Sequence, residues 1–404
     1  TDRETEVVLD RLAYRHSDPE NTWLNFDGFI YNNAQTIREK RIGTDGRLDV
    51  IEFDTYGVDL HNSLQFGNSD NAKQRISYGF EYYQDQMNSE KGGAANVAFP
   101  AATADFYGLY VQDEIDLANT VLGTWVLIPA LRYDAYQSST DREVLGASNS
   151  TKEDLLSPKL GVIYKASKAM NISFNYGQAF RSPTFQELYV SGSHFGANSF
   201  QPNPDLKPEK LTHGLELGVR VKSNDILGKG DKSQFRLSAY YNEYEDFIDT
   251  EVTTQSTTSV NVNDAKIHGL ELEASYYTRS IDLEVKLAAS YSIGENLTND
   301  EPLTGVPGHS VIVNLQKFLP NYGLSFGGRA SFNQHQNRVA AGQPTTPSYD
   351  VYDLYLSWLP AVGFVDDLQV TFGVDNVMDK NYTPHLNTLP APGRNVKVSM
   401  SVQF

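Results

Sequence analysis

A chain of 404 residues with 51 acidic and 33 basic side chains carries a formal net charge of −18. That balance excludes nucleic acid as the main partner, because phosphate recognition needs clustered Lys and Arg. Cysteine is absent, which excludes disulfide scaffolds and thiolate metal sites and suits an oxidising compartment. With 12% aromatics and no apolar run of about 18 residues, no transmembrane helix is expected, but membrane strands of about ten alternating residues remain open.

Thr1 opens directly into charged sequence without a signal peptide, so a mature chain or a piece of something longer is expected. Period-two alternation begins near 7–16 and 23–32 and continues through "VDLHNSLQF" (58–66), where His61 takes the polar parity. It recurs in "HGLELEASYY" (268–277), "LEVKLAASYSI" (283–293), "SVIVNLQ" (310–316), "YDLYLSWL" (352–359) and "LQVTFGVDN" (368–376). The clearest case is "RNVKVSMSVQF" (394–404): Val396, Val398, Met400, Val402 and Phe404 occupy one parity and polar residues the other. About seventeen such segments are expected, each about ten residues long.

Their connectors alternate in length. Counted from the C-terminus, 376–393, 334–349, 294–308, 246–262, 180–209 and 137–156 are long, while 360–366, 319–322, 278–281, 165–170 and 117–121 are short and 223–232 is middling. A soluble sandwich or propeller has no reason to sort loop length by parity, but an up-and-down membrane barrel has tight periplasmic turns and long outer loops. Aromatic pairs expected near strand ends (Tyr82 and Tyr83, Tyr240 and Tyr241, Tyr276 and Tyr277, with Trp358) and a terminal Phe404, the expected barrel-assembly signal, point the same way. The fold class is therefore all-β, a transmembrane antiparallel up-and-down barrel. With Phe404 at the periplasmic rim, parity places 180–209 outside the cell.

That outer loop is about thirty residues long, and bare backbone of such length needs a reason. It holds one imidazole, His194, among Gly192, Phe195, Gly196 and Phe200, and closes with Pro202, Pro204 and Pro208. Neutral imidazole is an axial ligand of haem iron. Phe195 and Phe200 would supply an apolar rim, the glycines pivots, and the prolines a stiff return to the wall. An inconsequential exposed histidine is the competing reading.

"AFRSPTFQELY" (179–189) followed by "NPDLKPE" (203–209) resembles the paired FRAP and NPNL boxes of TonB-dependent outer-membrane haem receptors. "YGLYVQDEI" (107–115), "LSPKLGVIYK" (156–165), "GVDNVMDKNY" (373–382) and "APGRNVKVSMSVQF" (391–404) resemble barrel segments of TonB-dependent receptors generally. Ser182 replaces the usual Ala of the first box and Asp205 the usual Asn of the second, a change that keeps turn chemistry. The resemblance implies His194 as axial ligand in the seventh outer loop, with Phe180, Arg181, Pro183, Tyr189, Phe195, Phe200, Asn203, Pro204, Asp205 and Leu206 as rim or loop-anchoring residues. Anchoring is favoured, with Asn203 and Asp205 bonded to their own backbone.

It further implies that residues 1–404 are about seventeen of the 22 strands of a receptor barrel, with the plug, the TonB-contacting box and the first five strands outside the chain. Haem is then cargo, and no catalytic cofactor is expected. The implied partners are outer-membrane lipid and lipopolysaccharide, the TonB complex through the plug, and a haem carrier such as haemoglobin or a haemophore. His61, pointing into the lumen, and His335 and His385 in outer loops are candidate secondary or capture ligands; His213 and His268 are expected at the membrane interface and His309 in a structural role. No catalytic constellation is found. A ferric-siderophore or other nutrient receptor, a passive porin and a soluble β-rich binding protein remain as alternatives.

Overall fold

A computed structural model describes residues 2–18, 20–43, 45–68, 72–120, 123–141, 150–193, 196–303, 305–360, 366–387 and 389–403. The chain divides into two compact units, one of Thr1–Val162, Asn175–Gly214 and Glu243–Ala265 and a second of Ile163–Phe174, Leu215–Asn242 and Lys266–Phe404. Among the described residues, seventeen strands have nine residues or more.

The first unit contains β1 (Asp2–Ser17), β2 (Asn25–Lys40), β3 (Leu48–Asn68), β4 (Ala72–Lys91), the two-residue β5 (Ala94–Ala95), β6 (Ala102–Thr120) and β7 (Gly123–Thr140). Most of β8 (Ser150–Lys165) and the end of β9 (Met170–Arg181) follow, then a helix α1 (Phe185–Tyr189) and two short strands, β10 (Gly192–Ser193) and β11 (Ser199–Gln201). The start of β12 (Glu209–Asn224), the end of β13 (Lys232–Val252) and the start of β14 (Ser256–Thr278) complete it.

These strands are longer than the expected ten residues. β1 to β4 run for 16 to 21, and β14 for 23. The supposed loop 246–262 is mostly strand: β13 and β14 run on to a tight turn in which Thr253 N–H donates to the Ser256 carbonyl at 2.8 Å. Polar and charged residues keep the period-two alternation beyond any apolar band, so the ladder continues where lipid contact would end. For the same reason Tyr82, Tyr83, Tyr240 and Tyr241 fall in mid-strand, while Tyr276, Tyr277 and Trp358 do lie near strand ends.

In the second unit β15 (Leu283–Asn296), the two-residue β16 (Glu301–Pro302), β17 (Ser310–Leu319), β18 (Leu324–Asn333), β19 (Tyr349–Trp358), β20 (Asp366–Asp375) and β21 (Asn395–Gln403) follow. From β17 onward the strands hold 9 or 10 residues, as expected. Register aligns Phe326, Leu356, Phe372 and Val398 in one row and Leu324, Trp358, Val370 and Met400 in the next. Val398 and Met400 are each 70% exposed. The opposite face is polar: Arg329 Nε donates to the Asp353 carboxylate at 2.8 Å, and Asp353 is buried. An apolar face turned outward and an ion-paired face turned away from it is the reverse of a soluble barrel and the arrangement lipid demands. Phe404 lies outside the described residues.

Candidate functional site

The long loop after β9 is folded, and the sequence "PTFQE" starts that folding. Thr184 is the N-cap of α1 in extended backbone, its hydroxyl accepting from Glu187 N–H at 3.3 Å while the Glu187 carboxylate accepts from Thr184 N–H at 2.7 Å. This reciprocal capping box satisfies two donors a five-residue helix would otherwise leave open. Arg181 donates to both oxygens of the same carboxylate, at 3.1 and 3.0 Å, and reaches Glu209 at 3.5 Å. Glu209 in turn accepts from Ile248 N–H at 3.1 Å. The first and last residues of the loop are thereby clasped to one another and to β13.

Short-range capping fixes the helix; apolar burial fixes where it sits. Leu188, Tyr189 and Leu206 pack with Met87, Ala102 and Ile248, flanked by Phe53 and Phe185. Phe53, Met87 and Ala102 are cross-strand neighbours on one face of β3, β4 and β6. The loop therefore lies down upon the wall. Each fully buried leucine contributes about 1.5–3 kcal/mol of transfer free energy toward offsetting the segment's ordering entropy. Tyr189 OH meets Ser138 Oγ at 3.1 Å, and burial pushes the Tyr189 phenol above its usual range. Tyr136 OH donates to the Pro183 carbonyl at 3.2 Å, and Thr151 Oγ1 to the Pro204 carbonyl at 3.0 Å.

The outgoing half is tied to the hairpin of β13 and β14. Asn198, 1% exposed, donates to the Thr253 carbonyl at 2.9 Å and accepts from Thr257 Oγ1 at 2.8 Å. β11 pairs in parallel with Ser256, Thr257 and Thr258 of β14, and antiparallel with β10. Ser191 N–H donates to the Ala98 carbonyl at 2.9 Å, and Gly192 runs at φ +100°, where an added Cβ would stand 3.2 Å from that of Ala98. A cavity of about 720 Å³, lined by Glu52, Asn88, Glu90, Asn96, Val97 and Asp141, adjoins this contact, since Ser191 Oγ also donates to the Val97 carbonyl at 3.4 Å.

His194 and Phe195 lie outside the described residues, between β10 and β11 in sequence. Pro183, Tyr189, Pro204 and Leu206 are buried, which leaves them no free face for a ligand. Phe180 and Phe200 are half-buried and Arg181 exposed. Asn203 does not bond its own backbone through its side chain; it donates to the Ser259 carbonyl at 2.9 Å, because β14 runs alongside, and Asp205 is exposed. His335 is exposed, and Nδ1 of His385 sits 2.9 Å from Thr346 Oγ1. His309 stacks on Tyr291 at 4.2 Å, and His213 and His268 lie 6.3 and 6.2 Å from Tyr176 and Tyr241. Among the described residues no three ligating side chains gather to hold a bare metal ion. Asn198, Asn261, Glu187 and Glu209 escaped the sequence reading; only Glu187 carried a local signal, the T-x-x-E of the capping box.

Residues 3–377 match the family described as TonB dependent receptor-like, beta-barrel. The chain belongs to that family. Over its full length the TonB-dependent receptor chain is 30% identical to the "Hemin receptor" of Yersinia pestis, covering 59% of that protein. It is 26% identical to the "Heme/hemopexin utilization protein C" of a Haemophilus influenzae strain, with 96% of the chain and 56% of the relative covered. The receptor chain thus spans somewhat more than half the length of these relatives. Among solved structures, the Serratia marcescens hemophore receptor HasR, in complex with its hemophore HasA and heme, superposes with a TM-score of 0.75 at 21% identity, covering all of this chain and 66% of that one. The copper transporter OprC gives 0.79 at 22%, covering 100% and 65%. These two likenesses establish the receptor β-barrel fold and not its cargo.

Proposed function

We propose that this chain is the barrel portion of a bacterial outer-membrane receptor that captures haem on its outer loops and passes it inward under TonB-supplied energy. The observation that carries this reading is the 30% identity to a hemin receptor over the whole chain, including the loop of the paired boxes. The relatives' greater length agrees with a plug and further strands encoded outside these residues. His194 is assigned as an axial ligand of the haem iron, with Phe195 and Phe200 beside the porphyrin and His335 and His385 available for capture at the rim.

The loop's anchoring supports this assignment. On either side of residues 192–197, Ser191 N–H is held by the Ala98 carbonyl and Asn198 by the Thr253 carbonyl, which gives the loop a fixed base. Buried Pro183, Tyr189, Pro204 and Leu206 serve the base, not the ligand. Transport by such a site is assembly and disassembly of coordination, with no covalent step. Lipid and lipopolysaccharide surround the apolar face, and a haem-carrying protein is the donor.

Nutrient-restricted growth tests it. A strain lacking other iron-uptake routes and carrying the full-length gene should grow with haem as sole iron source and stop growing when the TonB system is removed. Growth on ferric siderophore or copper-dependent rescue, with none on haem, would replace the cargo.

A further inference from the structure

We propose that Leu386, at the tip of the outer connector 376–393, is a docking knob for the haem-carrying protein that delivers cargo to the receptor. This rests on the reading above that such a carrier is the donor, and it names the surface the carrier meets. Among the described residues seven non-glycine residues have positive φ, and six of them are Asp or Asn, whose short polar side chains bond locally and make that backbone tolerable. The seventh is Leu386, at φ +67°. A leucine has no such compensation, because its Cβ is crowded there and its side chain carries no polar atom.

Burial within the receptor chain does not repay that cost. Leu386 is 60% exposed, and Leu389, three residues on, is 75% exposed. A glycine or an asparagine would close the same turn with less strain. Strain kept at a position whose side chain stands in solvent points to a contact outside the chain. The turn itself is braced. Asn387 N–H donates to the Pro384 carbonyl at 3.1 Å, which puts Leu386 third of four, where a type II turn requires positive φ. Nδ1 of His385, the residue before it, sits 2.9 Å from Thr346 Oγ1. Buried Thr346 exchanges two backbone hydrogen bonds of 2.9 Å with Gln336, whose Nε2 donates to the Val306 carbonyl at 2.6 Å. Three outer connectors, 294–308, 334–349 and 376–393, are thereby linked.

Further down the connector Tyr382 stacks on Tyr349 with ring centres 4.4 Å apart, and Ala391 N–H returns to the Tyr382 carbonyl at 2.9 Å. Asn376 closes the base, its Nδ2 donating to the carbonyls of Lys380 at 2.9 Å and Pro392 at 3.3 Å. A knob on such a base loses little freedom when it is seated. Its convexity selects the partner. A planar porphyrin lies in a slot between apolar walls, whereas one aliphatic side chain standing out from a turn fits a hollow in another protein's surface, where seating it removes apolar area from water.

The test uses the full-length receptor in detergent, with haemoglobin and a haem-loaded haemophore as separate protein probes. At least one should bind the wild type, and Leu386→Gly should weaken that binding by at least about tenfold, the scale of one leucine withdrawn from a buried contact. The same variant should keep the Asn387 amide no less protected from hydrogen exchange than in the wild type, because glycine is at ease at positive φ. Its titration with free iron(III) protoporphyrin IX, read at the Soret band, should be unchanged. Unaltered carrier binding in Leu386→Gly would overturn the knob and leave the haem reading intact. Loss of protection at Asn387 would overturn it too, by showing that the leucine packs within the receptor itself. Wild-type binding of the free iron porphyrin but of neither carrier would remove the carrier as donor, and the knob with it; binding of none of the three would overturn the haem reading.

Discussion

The wall of β2 to β7 and the ladder of β17 to β21 obey the same period-two rule and use it for different ends. In β17 to β21, strands of 9 or 10 residues match the hydrocarbon thickness, and the informative face is the outward one, a stack of apolar rows with Val398 and Met400 largely exposed. In β2 to β7, the two-residue β5 aside, strands of 16 to 21 residues outrun that thickness, and the informative face is the other one. There Phe53, Met87 and Ala102 receive the loop, and tyrosines, charged residues and His61 line the rows beneath. Where the strands are short they turn an apolar face outward; where they are longer they carry the folded loop.

The largest expected contrast comes from Leu206→Ala. Leu206 is 1% exposed in the loop core, and its truncation should cost about 2–5 kcal/mol locally. Hydrogen exchange should show α1 and the 198–208 segment losing protection while β17 to β21 keep theirs; equal loss in both would erase the distinction. Val398→Arg attacks the other region. Near the middle of a lipid-facing strand it should cost about 2–4 kcal/mol in bilayer folding titrations, whereas Lys397→Ala on the opposite face should change little. If Val398→Arg were tolerated, this face would not meet lipid.

A smaller effect isolates how the loop is held. Thr184→Ala removes one half of the capping box and should cost about 1 kcal/mol, seen as faster exchange at Phe185 to Glu187 with Leu206 still protected. The smallest effect is a pH dependence at the other end of the strands. In the connector 225–231 the Asp231 carboxyl accepts from the Tyr276 hydroxyl and from Arg279 N–H, which hold it below the usual carboxylate range. A carboxyl depressed in the folded state stabilises fully above its unfolded value, about pH 3.9, and that stability fades as pH falls through the lower folded value. The protection factor of the Arg279 amide should therefore fall on acidification below about pH 4, and in Asp231→Ala should be low at every pH.

Strand parity made the fold readable from single residues. Val396, Val398 and Met400 needed only alternation, and loop 180–209 stood out by length alone. Strand ends were not readable, because polar alternation at 246–252 and 256–262 looks the same in a loop as in a ladder that has left the membrane. The loop's interior was half readable. Thr184 and Glu187 announce the helix locally, but Asn198, Asn203 and Asn261 find partners some fifty residues away in sequence, and no local pattern encodes such pairing. His61 shares the face of β3 on which the loop core packs, as its polar parity suggested, but the Asp59 carboxylate 3.4 Å from its Nδ1 becomes visible only in the structure.

The most direct measurement is a titration of the full-length receptor with iron(III) protoporphyrin IX, wild type against His194→Ala, followed at the Soret band. With His194 on the iron, the wild type should give a low-spin, imidazole-ligated spectrum, and the variant an altered band with affinity lower by at least about tenfold, or 1.4 kcal/mol. Equal affinity and an identical spectrum in both would contradict the assignment of this loop as the haem-capturing element.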